Sequence, residues 1–274
     1  MKLLLSVLAV GMLAVGVSQA ADEASRITLD VGNAFTFGKF TYDDTTIDID
    51  SEMFNPRGNI EFKFGGAPLA FGAEYIKSEN TFTGEYEEPD GDAGNGELDV
   101  ERSEFAFYLK LVPSYHFNIR LGYRNFEYDI TNADIDQYDN GVLDEMDRNG
   151  TANAKLTTGL DGQMNIIIGG PTSVNLALML GYTYFIDGEY DWEYDKIVGG
   201  NTTHVTGAAT ANTHSIRVRP ELSFPLTDDL RLYVNAEVAA TAWDADLEDD
   251  DPEYPGYDFF MGATAGLRYG FDLQ

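Results

Sequence analysis

The sequence contains no cysteine. That absence excludes a disulfide framework, a thiolate metal centre, a cysteine nucleophile and a lipid-modified cysteine anchor. Beyond residue 20 there is also no apolar run approaching the roughly 20 residues that a membrane-crossing helix needs. The body is therefore a soluble secreted domain or a closed barrel, the other structure that satisfies its backbone in lipid. Positive charge is scarce, with 17 Lys and Arg against 47 Asp and Glu and a formal net charge of −30. Such a charge repels phosphate and argues against nucleic acid as a partner. Only three histidines are present, so acid–base chemistry has few places to reside.

Aromatic residues are abundant: 16 Tyr and 17 Phe are far more than a charged disordered chain would carry, and Tyr sits well at a lipid–water boundary. The chain opens with Lys2, an apolar run from Leu3 to Val17, and the small-residue sequence Ser18-Gln19-Ala20 before Ala21. This is the order of a cleavable secretory signal, so residues 1–20 are expected to be removed and residues 21–274 to form one barrel domain.

Period-two alternation carries the fold prediction. In Val174, Leu176, Leu178, Leu180, Tyr182 and Tyr184 every second residue is apolar or aromatic, and the interleaved Asn175, Ala177, Met179, Gly181 and Thr183 are mostly small or polar. Ten such segments follow one another, among them Ile27 to Phe37, Phe105 to Leu111, Leu156 to Ile168 and Met261 to Phe271. Each has roughly the 9 to 11 residues of a tilted membrane strand. Short turns at Gly65 to Pro68, Val112 to His116, Gly169 to Ser173 and Pro225 to Asp229 alternate with longer connections near 43–56, 82–101, 129–152, 187–213 and 244–258. The reading is an all-β, up-and-down transmembrane barrel of about ten antiparallel strands, its short turns periplasmic. A soluble sandwich or lipocalin-like barrel would also alternate, without needing to sort its loops in this way.

Charge follows the same geography. The longer connections hold 33 of the 47 acidic residues, which predicts an anionic outer rim. Strand cations take the parity opposite to the apolar set: Arg57, Lys63, Arg102, Lys110, Arg120, Arg124, Lys155, Arg217, Arg219, Arg231 and Arg268. Because a charge facing lipid at mid-membrane costs roughly 2 to 4 kcal/mol, these face the lumen, with Glu61, Glu74, Glu104, Asp161, Glu221 and Glu237 beside them. A narrow lumen should force pairing across strands, with Arg217, Arg219, Arg120 and Arg124 drawing on Glu221, Glu237, Glu104 and Glu61 and leaving a modest positive excess.

With its export signal, ten alternating segments and final strand Ala265-Gly266-Leu267-Arg268-Tyr269-Gly270-Phe271, the chain resembles the outer-membrane β-barrel superfamily that includes porins and the small barrel of outer-membrane protein A. The resemblance implies insertion by the barrel-assembly machinery and a surround of outer-membrane lipid and lipopolysaccharide. The ending departs from the usual terminal aromatic, since Asp272-Leu273-Gln274 follows Phe271.

Catalysis finds little support in the pattern. His116 adjoins a short turn, His204 lies in the polar stretch Gly199 to His204, and His214 and Ser215 are consecutive, so they point to opposite faces of a strand. Ten strands also resemble the omptin proteases, yet no omptin motif matches residue by residue. The stretch from Asp90 to Glu101 places acids where a calcium loop has them at its first, third and twelfth positions, but Gly94 and Asn95 break the motif. Asp90, Asp92 and Glu101, together with Asp249, Asp250 and Asp251, are expected to hold calcium or magnesium loosely at most. No other cofactor is expected. The leading functional expectation is a non-enzymatic barrel with a filled lumen, structural or passing small solutes narrowly. The rivals are a surface binding protein or adhesin on a barrel pedestal and, more weakly, a rim enzyme.

Overall fold

A computed structural model describes residues 24–36, 38–42, 45–51, 55–87, 93–139, 142–170, 172–244 and 257–273. The expected signal at 1–20 and the acidic positions Asp90, Asp92, Asp249, Asp250 and Asp251 lie outside these residues.

Strands β1 (Ser25–Thr36), β4 (Pro56–Lys63), β5 (Leu69–Glu87), β6 (Ala93–Ser114), β7 (Phe117–Asp139), β8 (Val142–Ile168), β9 (Asn175–Val198), β10 (Asn201–Pro225), β11 (Leu230–Asp244) and β12 (Tyr257–Leu273) form a closed ring of ten antiparallel strands. Strand β1 closes it, pairing with β12 from Ser25↔Leu273 to Thr36↔Gly262 and with β4 from Arg26↔Lys63 to Asn33↔Pro56. Two further strands, β2 (Gly38–Tyr42) and β3 (Thr45–Ser51), pair with each other, and β3 extends along β5. Closure leaves no free edge within the ring, the condition for a sheet to cross lipid.

The outer face is apolar. Val31, Ile60, Phe107, Leu160, Ile168 and Ile216 each expose half or more of their surface, an arrangement no monomeric soluble protein sustains around its whole girth. Aromatic rings mark both margins of this girdle. At the short-turn end Phe62, Phe64 and Phe71 cluster with centroids 5.0 to 5.8 Å apart. Tyr75, Phe105, Tyr123, Tyr182 and Tyr184 lie toward the other end. Beyond them the outer face turns charged, beginning with Lys77, which bridges Glu79 and Glu101, and with Lys155 beside Glu127. This is the aromatic–apolar–aromatic profile of a strand barrel in a bilayer.

The long connections differ from their expected form. The stretches 82–101, 129–152 and 187–213 are largely strand, so β7 to β10 run 23 to 27 residues and rise past the charged margin as paired hairpins. Gly199 and Gly200, expected within a longer polar connection, form instead a two-residue hairpin turn with φ of 56° and 78°. Both values are positive, which glycine adopts without strain and which suits the right-handed twist of the flanking strands.

A register shift corrects two further expectations. Between Arg124↔Gly159 and Phe126↔Leu156 strand β8 carries one extra residue. A bulge of this kind inverts parity along the rest of a strand. Leu156, expected to face lipid, is therefore buried inside, and Lys155, expected in the lumen, is exposed outside.

Tight curvature is accommodated where lumen glycines face tyrosines. A Cβ on Gly122 would stand 2.1 Å from the Phe107 carbonyl oxygen and 2.9 Å from the Tyr108 backbone, and one on Gly72 would meet the Tyr108 ring at 2.4 Å. Tyr108 fills the space that both glycines leave.

Because the natural chain has no cysteine, topology can be read with single introduced thiols. Asn201→Cys, at the β9–β10 hairpin, should react with a membrane-impermeant maleimide on intact cells. Asp228→Cys, in the short β10–β11 turn, should react only after lysis; the opposite pattern would invert the orientation.

Candidate functional site

Inward-facing positions of seven strands converge on a cluster of ions inside the ring. Arg57 comes from β4, Glu74 from β5, Arg102 and Glu104 from β6, Arg120 and Arg124 from β7, Asp161 from β8, Arg217 and Arg219 from β10, and Glu237 from β11. The spacing explains the convergence, since residues two or four apart on a strand share a face.

Arg124 is the centre of the cluster and is fully buried. Its Nη2 donates to Glu74 at 3.4 Å, its Nε to Asp161 at 3.2 Å and its Nη1 to Glu104 at 2.5 Å. Glu74 also accepts from Arg57 at 2.6 Å and from Arg120 at 2.8 Å. Glu104 accepts in addition from Arg102 and, at 3.3 Å, from Arg217. Asp161 is completed by Thr183 at 2.7 Å and Gln163 at 3.0 Å. Glu237 lies 3.4 Å from Arg57 and 3.3 Å from Arg217. Carboxylates with several charged donors each are the form in which buried ions are tolerated.

Of the four carboxylates expected to meet these arginines, Glu104 and Glu237 do so and two do not. Glu221 and Glu61 stand apart from the cluster, nearer the short turns, where Glu221 and Asp30 hold Arg268 and Glu61 holds Lys110. Arg231 donates to the Ser173 carbonyl and to Ser223 at the short-turn rim. Lys63, at the end of β4, lies near the same rim. Asp30, which the Ile27, Leu29, Val31 alternation already turns inward, was not among the expected lumen residues.

Nor was a layer of apolar residues on the long-hairpin side of the cluster. Ile76 lies two positions beyond Glu74, Val100 two beyond Arg102, Leu156 opposite Phe126, and Phe185 two beyond Thr183, all buried. Phe126 stands 6.1 Å from Phe185 and faces the Arg102 guanidinium at 5.1 Å. The signal for this layer was faint: apolar neighbours such as Tyr75 and Ile76 occupy both parities at once. On the other side of the cluster lies a cavity of about 260 Å³ lined by Arg57, Glu74, Arg120, Arg219, Lys110, Glu61 and Arg268 among others. The Arg120 guanidinium lies over the Tyr108 ring there, 3.6 Å from its centroid, and the Tyr108 hydroxyl donates to Asn59 at 2.7 Å.

The histidines do not come together. His116 contacts the Ile167 carbonyl at a short turn. His214 faces outward, 2.6 Å from the Tyr182 hydroxyl and stacked near Tyr184 in the aromatic margin. His204 lies on the raised hairpin, 2.9 Å from Asp195 and 3.8 Å from Glu193. Hydrogen bonds from His204 and Asn149 hold the Asp195 carboxyl below its usual range. Nearby, Glu145 holds the Lys196 ammonium above its own. Of the expected cation-binding acids only Glu101 is described, and it pairs with Lys77 at 2.8 Å on the outer face. Among the described residues no group of three or more His, Asp or Glu is placed to hold a metal ion.

No protein-family model matches the chain, and no curated protein matches it. Among solved structures, the outer-membrane protease OmpT of Escherichia coli aligns over 94% of this chain and 100% of its own, with a TM-score of 0.53 and 12% identity. The translocator domain of the autotransporter NalP from Neisseria meningitidis aligns over 97% and 95% with a TM-score of 0.38 and 11% identity. Ring closure and the apolar girdle make the chain a membrane-spanning β-barrel, and its fold is like that of an outer-membrane barrel. At 12% identity the likeness to the protease is one of fold alone.

The cluster makes a stability prediction. Glu104→Gln leaves Arg102, Arg124 and Arg217 short of a buried counter-charge and should destabilise the barrel by about 3 kcal/mol or more. Lys155→Gln removes one arm of an exposed pair and should change stability by less than about 1 kcal/mol. Urea unfolding in lipid vesicles measures both, and equal effects would contradict the difference in burial.

Proposed function

We propose that the protein is a closed barrel rather than a diffusion channel, with the lumen serving as a structural plug and the raised hairpins serving as a surface for interaction outside the cell. The observation that carries this reading is the burial of inward-facing side chains at two successive levels, the ion cluster around Arg124 and the mainly apolar set of Ile76, Val100, Leu156 and Phe185 with Phe126 beside them. A ten-stranded ring lies near the eight-stranded size at which side chains fill a barrel, far from the roughly 16 strands of an aqueous channel. An ion crossing it would have to displace paired charges and then pass between closely packed, mainly apolar side chains, and each step opposes passage.

The remaining investment of sequence is outside the membrane. Strands β7 to β10 present Asp129, Asp134, Asp136, Asp191, Glu193 and Asp195 on a continuous sheet, a surface whose complement is cationic. The narrow-channel reading has one observation in its favour, the cavity on the short-turn side, but that cavity ends against Arg57, Glu74 and Arg120.

Planar-bilayer recording tests the proposal. The purified protein should show little or no conductance, and the double variant Arg120→Ala with Arg219→Ala should show more. A large, stable, porin-sized conductance of the natural protein would overturn the closed-barrel reading.

A further inference from the structure

We infer that the cavity beneath the ion cluster binds one small, singly charged oxyanion against the guanidinium groups of Arg219 and Arg120. The first support is charge. In the cluster and the two ion groups below it, cations exceed carboxylates by one when Arg219 is included. An uncompensated charge in a low-dielectric interior is strongly disfavoured, and one bound monoanion removes the imbalance.

Geometry assigns the excess to a particular residue. Each other arginine of the cluster has a carboxylate within 3.3 Å. Arg219 does not: its Nη1 stands 3.5 Å from Glu74 and 3.7 Å from Glu237, is buried, and donates no hydrogen bond. The Nε of Arg120 is likewise buried without an acceptor, as are Nε and Nη1 of Arg217, which lies outside the cavity lining. Orphaned buried donors are rare and call for a partner. Arg219 and Arg120 line the same cavity.

The space and the remaining chemistry fit. At about 30 Å³ per water, 260 Å³ has room for roughly eight waters, enough for an acetate-sized ion with part of its hydration. The guanidinium fork matches the paired oxygens of a carboxylate and also accommodates phosphate. The side-chain amides of Asn118 and Asn235 line the same space and supply neutral polar contacts. The carboxylates of Glu61 and Glu221 are already engaged by Lys110 and Arg268, which weakens their repulsion of a guest.

The site depends on the cavity and on Arg219, not on whether the barrel conducts, so its test is separate from bilayer recording. Sodium acetate, inorganic phosphate and sodium chloride are each titrated calorimetrically into the folded, detergent-solubilised protein, with ionic strength held by a bulky sulfonate salt. Saturable binding of acetate or phosphate at one site per barrel is the expected result, the stronger of the two identifying the preferred oxyanion geometry. Arg219→Met should weaken that binding at least tenfold. Glu221→Gln, which removes a carboxylate from the lining, should tighten it several-fold. Met179→Phe, which keeps every charge but fills part of the cavity, should weaken it, and this variant decides the matter if Arg219→Met does not fold. No saturable oxyanion binding to the natural protein, binding of chloride alone, or binding indifferent to both Arg219→Met and Met179→Phe would overturn the inference.

Discussion

The structure depends on the burial of one guanidinium. Arg124 is fully enclosed and meets a different strand with each nitrogen: Glu74 on β5, Glu104 on β6 and Asp161 on β8. The effective penalty for taking an ion out of water is several kcal/mol even after relaxation. It is offset only where the geometry is good and the remaining donors and acceptors are satisfied, so one buried arginine demands several carboxylates and each carboxylate in turn gathers further arginines. The result is a cross-barrel lattice of ions rather than isolated pairs. Such a lattice adds little net stability over an apolar filling, but it is intolerant of strand slippage, because a one-residue slip would turn its members toward lipid.

The surroundings sharpen that constraint. The apolar side chains of Val100, Phe126, Leu156 and Phe185, with the buried polar Asn80 and Thr213 among them, cover the ions on the long-hairpin side, which lowers the local dielectric and strengthens every contact that is made and every penalty for one that is not. On the other side the cluster borders a polar cavity. The plug is thus asymmetric, with apolar side chains gathered on its long-hairpin side and a polar cavity on its short-turn side. The raised hairpins belong to a different regime, where exposed pairs such as Lys155 with Glu127 contribute little and the net negative charge sets which partners approach.

Much of this could be read from alternation. The parity of Val174 to Tyr184 on β9 identifies the lipid face, and the same rule turns Arg57, Arg102, Arg120, Arg124 and Arg217 inward. Which ions would meet could not be read, because neighbours across a lumen depend on strand tilt and shear rather than on any single segment. Hence Glu221 holds Arg268, not a cluster arginine. Local irregularity was equally hidden: the extra residue in β8 carries no strong sequence mark, yet it exchanges the faces of Lys155 and Leu156. The raised hairpins were obscured by composition, since their many acidic and small residues suggest loops although Gly199 and Gly200 close a regular hairpin.

The central claim is that the buried ions act as one coupled unit. A double-mutant cycle combining Arg124→Met with Glu104→Gln, read by urea unfolding of the barrel in lipid vesicles, tests it most directly. Each single change should be severe and the pair together much less than additive, with a coupling energy above about 1.5 kcal/mol. Additivity within about 0.5 kcal/mol would show that the two residues act independently and would contradict it.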